Sequence, residues 1–306
     1  MNPTPEIILH HFDASPFAEK ARLALGLKQA SWYAVEIPMI MPKPDLTALT
    51  GGYRKTPVLQ AGAEVYCDTA LILRELDARL PGPDLFAGEL GGLGSALGSW
   101  SDQTFFQPGA GLSMGLNDQI PRPLLDDRKA FFNFMDFDQL KDEIPHLYAQ
   151  FLAQVDLVTT QLADGRHFLA GDLPSVADIL AYFPLWMARG NFPAVDEWLD
   201  HEAALAAWEQ RMAAFGHGNS QPLGAEAALD LAREGSPAED LAVERNPEAL
   251  AAGQPVTVTP QDYGRIPVHG DLLGLTRNRV TVRRSDPRVG EVNVHFPRSG
   301  YRVTAR

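Results

Sequence analysis

The sequence predicts a chain of three parts: an α/β unit, an all-helical unit and a β-rich C-terminal extension. Three patterns predict it. Strand and helix signals alternate over about residues 5–80. Residues from about 89 to 215 carry apolar positions at helical spacing and no strand pattern. From Pro255 onward, apolar and polar residues alternate with the period of two that suits a half-buried strand. The boundaries fall at 1–84, 85–216 and 217–306, with residues 118–143 an insertion in the second part.

In order, the first strand is Glu6–His11. Ser15 and Pro16 then open a helix that runs to about Leu27: serine is a favoured N-cap, and proline fits the first helical turn, where its missing N–H has no intrahelical partner. Ser31–Ile37, rich in aromatic and β-branched residues, is a second strand. Pro42 and Pro44 break the next stretch before a short helical pattern at Asp45–Leu49. Thr56-Pro57-Val58-Leu59-Gln60 and Glu64-Val65-Tyr66-Cys67 are two strands joined by an Ala-Gly turn. Asp68 and Thr69 start a helix to about Leu80, and Pro81-Gly82-Pro83 ends the unit.

In the second part, Leu147, Phe151, Val155, Leu157, Val158 and Leu162 recur near helical spacing. Ser175 with Asp178 three residues later forms a capping box, in which each side chain bonds the other residue's backbone N–H. The insertion holds Phe131, Phe132, Phe134 and Phe137, which either pack on the helical core or wall an apolar pocket. Beyond Gly216–Pro222, a linker by composition, Ala225–Ala232 and Ala238–Ala252 read as helices rich in alanine and acidic residues. The last stretch predicts about five short strands in a small antiparallel sheet or barrel.

Bulk properties narrow the function. The 306 residues are 45% hydrophobic and 21% charged, which suits a folded protein of two or three domains. A formal charge of −13 excludes a uniformly basic surface, so neither nucleic acid nor an anionic membrane is an expected partner. Arg277, Arg279, Arg283, Arg284, Arg288 and Arg298 make the extension locally basic, but no stacking-aromatic motif accompanies them. The single cysteine, Cys67, precludes an internal disulfide. Met1–Glu6 lacks the basic and apolar blocks of a signal peptide, and together these features point to the cytoplasm. Adjacent His10 and His11 point to opposite faces of a strand, so they do not form a paired metal site, and no metal is expected.

Ser-Pro-Phe-Ala-Glu-Lys-Ala-Arg-Leu-Ala-Leu at 15–25, Thr-Pro-Val-Leu at 56–59 and the Asp68-Thr69 helix start together resemble the thioredoxin-like half of the cytosolic glutathione transferases. The first segment is most similar to the omega class, with serine standing where that class has cysteine. The resemblance covers residues 6–80, is weaker over 90–215 and is absent from the extension. It implies a thioredoxin-like N-terminal domain, a helical domain and glutathione as co-substrate, in a homodimer.

The site it implies has one catalytic residue. Ser15 would donate its hydroxyl to the glutathione sulfur at a helix N-terminus, where N–H groups and the helix dipole favour an anion. A free thiol has a pKa of about 8.5; lowering it by two units, worth roughly 2.7 kcal/mol, makes thiolate the major species near neutral pH. Serine forms no mixed disulfide, so the chemistry implied is attack on an apolar electrophile rather than thiol exchange. Thr56, before a cis Pro57, would pair with the cysteinyl amide groups. Asp68 and Thr69 would hold the γ-glutamyl end, although the family usually has Glu-Ser there. Lys43 and Phe17 would meet the glycyl end. Ser15, Asp68 and Thr69 are also ordinary cap residues, and Thr56 an ordinary strand residue. Trp100, Phe105, Phe106, Met114 and Tyr182 are candidates either for the electrophile pocket or for core. Two other functions fit the same residues: a non-catalytic binding or interaction protein that kept the fold, and a glutathione-dependent lyase or dehalogenase.

Overall fold

The computed structural model describes residues 7–87, 91–199, 202–239 and 241–306. Glu6 of the expected first strand, the N-terminal Met1–Glu6 segment and residue 240 lie outside them. Contacts divide the chain into two units, one of residues 1–18, 31–75 and 219–306, the other of residues 19–30 and 76–218.

The first unit holds the strands. β1 (Ile8–His11), β2 (Ser31–Glu36), β3 (Val58–Ala61) and β4 (Glu64–Cys67) lie side by side in one half of a ten-stranded sheet. α1 (Pro16–Leu27) follows β1, α2 (Pro44–Thr50) lies between β2 and β3, and α3 (Thr69–Arg79) follows β4. β1 pairs parallel with β2 and antiparallel with β3, and β3 pairs antiparallel with β4. This is the thioredoxin-like order that the resemblance implies.

The extension is β-rich, as predicted: β6 (Pro255–Pro260), β7 (Val268–Leu275), β8 (Arg279–Asp286), β9 (Gly290–Pro297) and β10 (Tyr301–Ala305). These strands continue the first sheet, because β9 pairs parallel with β4, and the order runs β10-β6-β7-β8-β9-β4-β3-β1-β2. Ile8, Val58 and Val65 therefore share one buried cluster with Val256, Val280, Val294 and Phe296. At the seam, Glu64 accepts from the Asn293 side chain (2.9 Å), the Ala238 N–H (2.7 Å) and His295 Nε2, and the His295 ring stacks on Tyr66 with centroids 4.4 Å apart.

Two stretches differ from expectation. Asn219–Pro222 is a strand, β5, paired parallel with β2. Its four residues are all exposed, and backbone pairing at a sheet edge needs no apolar side chain. Ala225–Glu234 is helical as expected, but residues 241–252 form no helix. Pro247 interrupts that segment, and the Asn246 side chain accepts from the Leu250 N–H (2.8 Å) and donates to its carbonyl (2.9 Å), an alternative to helical pairing.

Buried Gln60 ties the sheet to the 225–234 helix. Its amide nitrogen donates to the Gly62 and Ala228 carbonyls at 3.0 and 2.7 Å, which leaves Oε1 to accept from His10 Nε2 at 2.7 Å. Burial holds the His10 imidazole down to a pKa of about 4.

The second unit is helical: α4 (Phe106–Gly115), α5 (Arg122–Phe131), α6 (Ile144–Leu162), α7 (Val176–Asn191) and α8 (Ala203–Ala214), with shorter helical turns between them. The capping box forms at α7. Asp178, fully buried, also accepts from the Leu169 N–H (2.8 Å) and from Trp208 Nε1 (2.9 Å), so the cap doubles as a node between three segments. Of the insertion's phenylalanines, all half-buried, Phe134 reaches the core, meeting Phe106 edge-on at 6.4 Å, and lies 4.8 Å from Phe132. No helix among the described residues is long and apolar enough to cross a membrane.

Candidate functional site

Sheet register brings the candidate residues of the first unit to one end. His10 of β1 lies opposite Val58 of β3, and Val58 lies opposite Cys67 of β4. The chain leaves β1 there toward Ser15, enters β3 there from Thr56 and Pro57, and leaves β4 there into Asp68 and Thr69. The Thr56–Pro57 bond is cis, as is Met41–Pro42.

Ser15 is buried, at 3% exposure, just before α1. Its Oγ accepts from the Ala18 N–H at 3.2 Å, and its own N–H donates to the Phe12 carbonyl at 3.0 Å. It is thus an N-cap. Phe17 is half-buried in the first turn of α1.

Lys43 occupies the N-cap position of α2 without a side-chain cap bond, and it is buried. Its ammonium donates to Thr56 Oγ1 at 3.0 Å and to the Arg54 carbonyl at 3.4 Å, and lies 5.7 Å from the centre of the Phe12 ring. Lys43 and Thr56 are therefore neighbours, a juxtaposition that their separation in sequence does not predict.

Asp68 has a positive φ of 77°, uncommon for a residue other than glycine. Its Oδ1 accepts from the Ala70 N–H at 2.9 Å, and Thr69 beside it is buried. Its Oδ2 accepts from the hydroxyl of Tyr301, in the extension, at 2.9 Å. Two further residues that no sequence motif marks belong here: Tyr301, carried to Asp68 by the strand register of the extension, and Tyr53, between α2 and β3, whose hydroxyl lies 3.2 Å from that of Tyr301.

Cys67 is fully buried, and burial followed by the Asp68 charge pushes its thiol well above the ordinary range. A reactive cysteine has the opposite environment. His10 is engaged by Gln60, and the His11 ring lies 5.5 Å from Trp32. Among the described residues, no group of three or more His, Cys, Asp or Glu side chains could hold a metal ion.

In the second unit, Phe105 and Phe106 are core. Phe105 packs on Phe151 at 5.2 Å and Phe106 stacks on Phe183 at 5.9 Å. Tyr182 is buried against Trp208, and Trp100 donates its Nε1–H to Gln154. Met114 is half-buried on α4. Of the extension's arginines, Arg279, Arg283, Arg284, Arg288 and Arg298 are paired internally with carboxylates, so their charge is matched within the fold.

The family pattern for the glutathione S-transferase N-terminal domain matches residues 9–84, and that for the glutathione S-transferase C-terminal domain matches residues 128–215. Among solved structures, a GST-like protein from Pseudomonas syringae is similar at 36% identity over 99% of this chain and 100% of that one, with a TM-score of 0.82. A glutathione S-transferase domain-containing protein from Marinobacter aquaeolei is similar at 21% identity over 68% of this chain and 97% of that one, with a TM-score of 0.54. A tau class glutathione S-transferase from mango has 16% identity over 68% and 89%, with a TM-score of 0.53. The last two likenesses are of fold alone. No curated protein matches the chain.

Proposed function

The chain belongs to the glutathione S-transferase superfamily, and we propose that it binds glutathione and activates the thiol for attack on an apolar electrophile. The observation that carries the reading is the common sheet end of β1, β3 and β4, which supports a single ligand site built from Ser15, Thr56 and Asp68. In this reading Ser15 is the hydroxyl donor to the thiolate, at the N-terminus of α1. Thr56, before Pro57, pairs with the cysteinyl amide groups. Asp68 and Thr69 take the γ-glutamyl end, and Lys43 with Phe17 takes the glycyl end.

The omega-like segment with serine at position 15 favours conjugation over thiol exchange, because a hydroxyl cannot enter a mixed disulfide. We read 1–84 as the glutathione-binding part, 85–216 as the helical part and 217–306 as an extension, in a cytoplasmic homodimer. A second reading, binding without turnover, is favoured by Asp68 standing where the family usually has glutamate, by the insertion at 118–143 and by the added β-rich extension.

Thermal unfolding with and without glutathione tests the binding. If the dissociation constant is of order 0.1–1 mM, a concentration of about 10 mM stabilises by about 1.4–2.7 kcal/mol. An unchanged melting temperature would sink the glutathione reading. Turnover with a panel of apolar electrophiles then separates enzyme from binder: ligand stabilisation with no conjugate formed selects the second reading.

A further inference from the structure

Tyr301 opens β10, on the extension, yet its hydroxyl donates to Asp68 Oδ2 at 2.9 Å. The same hydroxyl lies 3.2 Å from the Tyr53 hydroxyl. A phenol carries one proton. With that of Tyr301 directed at the carboxylate, the Tyr53 hydroxyl is the donor in the second contact. The result is a relay, Tyr53 to Tyr301 to Asp68. Both tyrosines are buried, and burial followed by the nearby Asp68 charge raises both phenols well above their usual value, so both remain donors. Their rings are fixed against Phe296, at centroid distances of 5.8 and 5.4 Å.

The carboxylate is therefore held at both oxygens, by the Ala70 N–H on one and Tyr301 on the other. Each carboxylate oxygen can accept a second hydrogen bond, so the arrangement aims the group without saturating it. Asp68 is only half-buried, and an incoming cation can reach it. Other residues of the extension brace the neighbouring segments. Asp262 pairs with Lys55, which precedes Thr56. Arg284 donates to the Ala48 carbonyl, and Arg288 pairs with Asp45 at 2.7 Å, so α2 is held from the same side.

We propose that Tyr301 is a positioning residue for the γ-glutamyl end of glutathione. Its hydroxyl, supported by Tyr53, fixes the Asp68 carboxylate where it meets the ligand's ammonium group. The proposal rests on the glutathione reading given above, and it makes the extension part of the ligand site.

The test is calorimetric titration of the full chain with two ligands, glutathione and its N-acetylated form, in which the γ-glutamyl ammonium is blocked. Wild type is expected to prefer glutathione. Tyr301→Phe keeps the ring and removes the hydroxyl; it should weaken glutathione about five- to twentyfold, the scale of one hydrogen bond to a charged group acting indirectly, and leave the N-acetyl ligand unchanged. Tyr53→Phe, which leaves the Tyr301–Asp68 contact in place, should lower the same preference about two- to fivefold; it carries the test should Tyr301→Phe not fold. In an Asp68→Asn background, Tyr301→Phe should have no further effect on the preference. A preference unchanged in Tyr301→Phe, or equal weakening of both ligands, overturns the positioning role while the glutathione reading stands. Wild type that binds neither ligand overturns both.

Discussion

Replacing Ser15 by alanine separates a structural cap from a catalytic hydroxyl, because the two roles predict losses of different size. The structural loss follows from one hydrogen bond, the Ala18 N–H to Ser15 Oγ at 3.2 Å. Removing an N-cap oxygen costs about 1 kcal/mol. In a chain of 306 residues that lowers the melting temperature by about 2 °C. Set against an ordinary folding stability of about 5–15 kcal/mol, it leaves essentially all molecules folded. A catalytic donor costs more. Removing one donor from a resident or developing anion lowers rates by about one to three orders of magnitude, which is about 1.4–4 kcal/mol of barrier. The assay is the initial rate of conjugate formation, with glutathione affinity and melting temperature measured on the same preparation. Affinity should largely persist, because in the proposed site Thr56, Asp68 and Lys43 would supply it. The thiolate absorbance of bound glutathione should titrate at higher pH in Ser15→Ala than in wild type. A variant that loses the cap's share of stability but keeps the full conjugation rate would refute the catalytic role and leave Ser15 as a cap.

Ser15→Cys places a thiol at the same helix start, where its pKa should fall; the variant should gain reduction of glutathione mixed disulfides, read by release of free glutathione. Thr69→Ala and Lys43→Ala should each shrink the rise in melting temperature that glutathione produces in wild type. His10, held to about 4 by burial, ionises in the unfolded chain near 6.5. The unfolded state therefore takes up the proton first as pH falls, so this contribution is full above about 6.5 and is lost toward pH 4, by roughly 3 kcal/mol in all. Urea titrations across that range should show the slope, and His10→Gln should flatten it. Asp178→Ala strands the Leu169 and Ser175 N–H groups and the Trp208 indole, and should cost about 3 kcal/mol or more by the same measurement.

What could be read from the sequence was local. The strand–helix alternation of the first part, the Ser15-Pro16 helix start and the Ser175/Asp178 capping box each depend on residues within a few positions of one another, and each stands in the structure. The helix expected at 238–252 is absent from residues 241–252 for an equally local reason: alanine content favours a helix, but Pro247 and the Asn246 side chain dictate a loop. Asn219–Pro222 escaped because an exposed edge strand carries no apolar alternation to detect.

The contacts that complete the candidate site are of another kind. Period-two alternation reveals that Tyr301–Ala305 is a strand, but neither its register nor the strand beside it. Pairing β9 with β4 carries the extension to the sheet end where β4 releases Asp68, and the turn after Pro297 then delivers Tyr301 to the same end. One parallel pairing, Glu64 to Asn293 through Tyr66 to His295, thus decides whether Tyr301 meets Asp68 at all. It also explains why buried polar groups gather at that seam. Glu64 is held below its ordinary range against the cost of burial by His295, the Ala238 N–H and Asn293. His295 Nδ1 in turn lies 2.8 Å from the Thr281 hydroxyl. A seam satisfied on every side resists slipping, because a shift of one residue would strand these groups without partners. The fidelity of the Tyr301–Asp68 contact is therefore set by side chains remote from any ligand, in the register of β4 against β9.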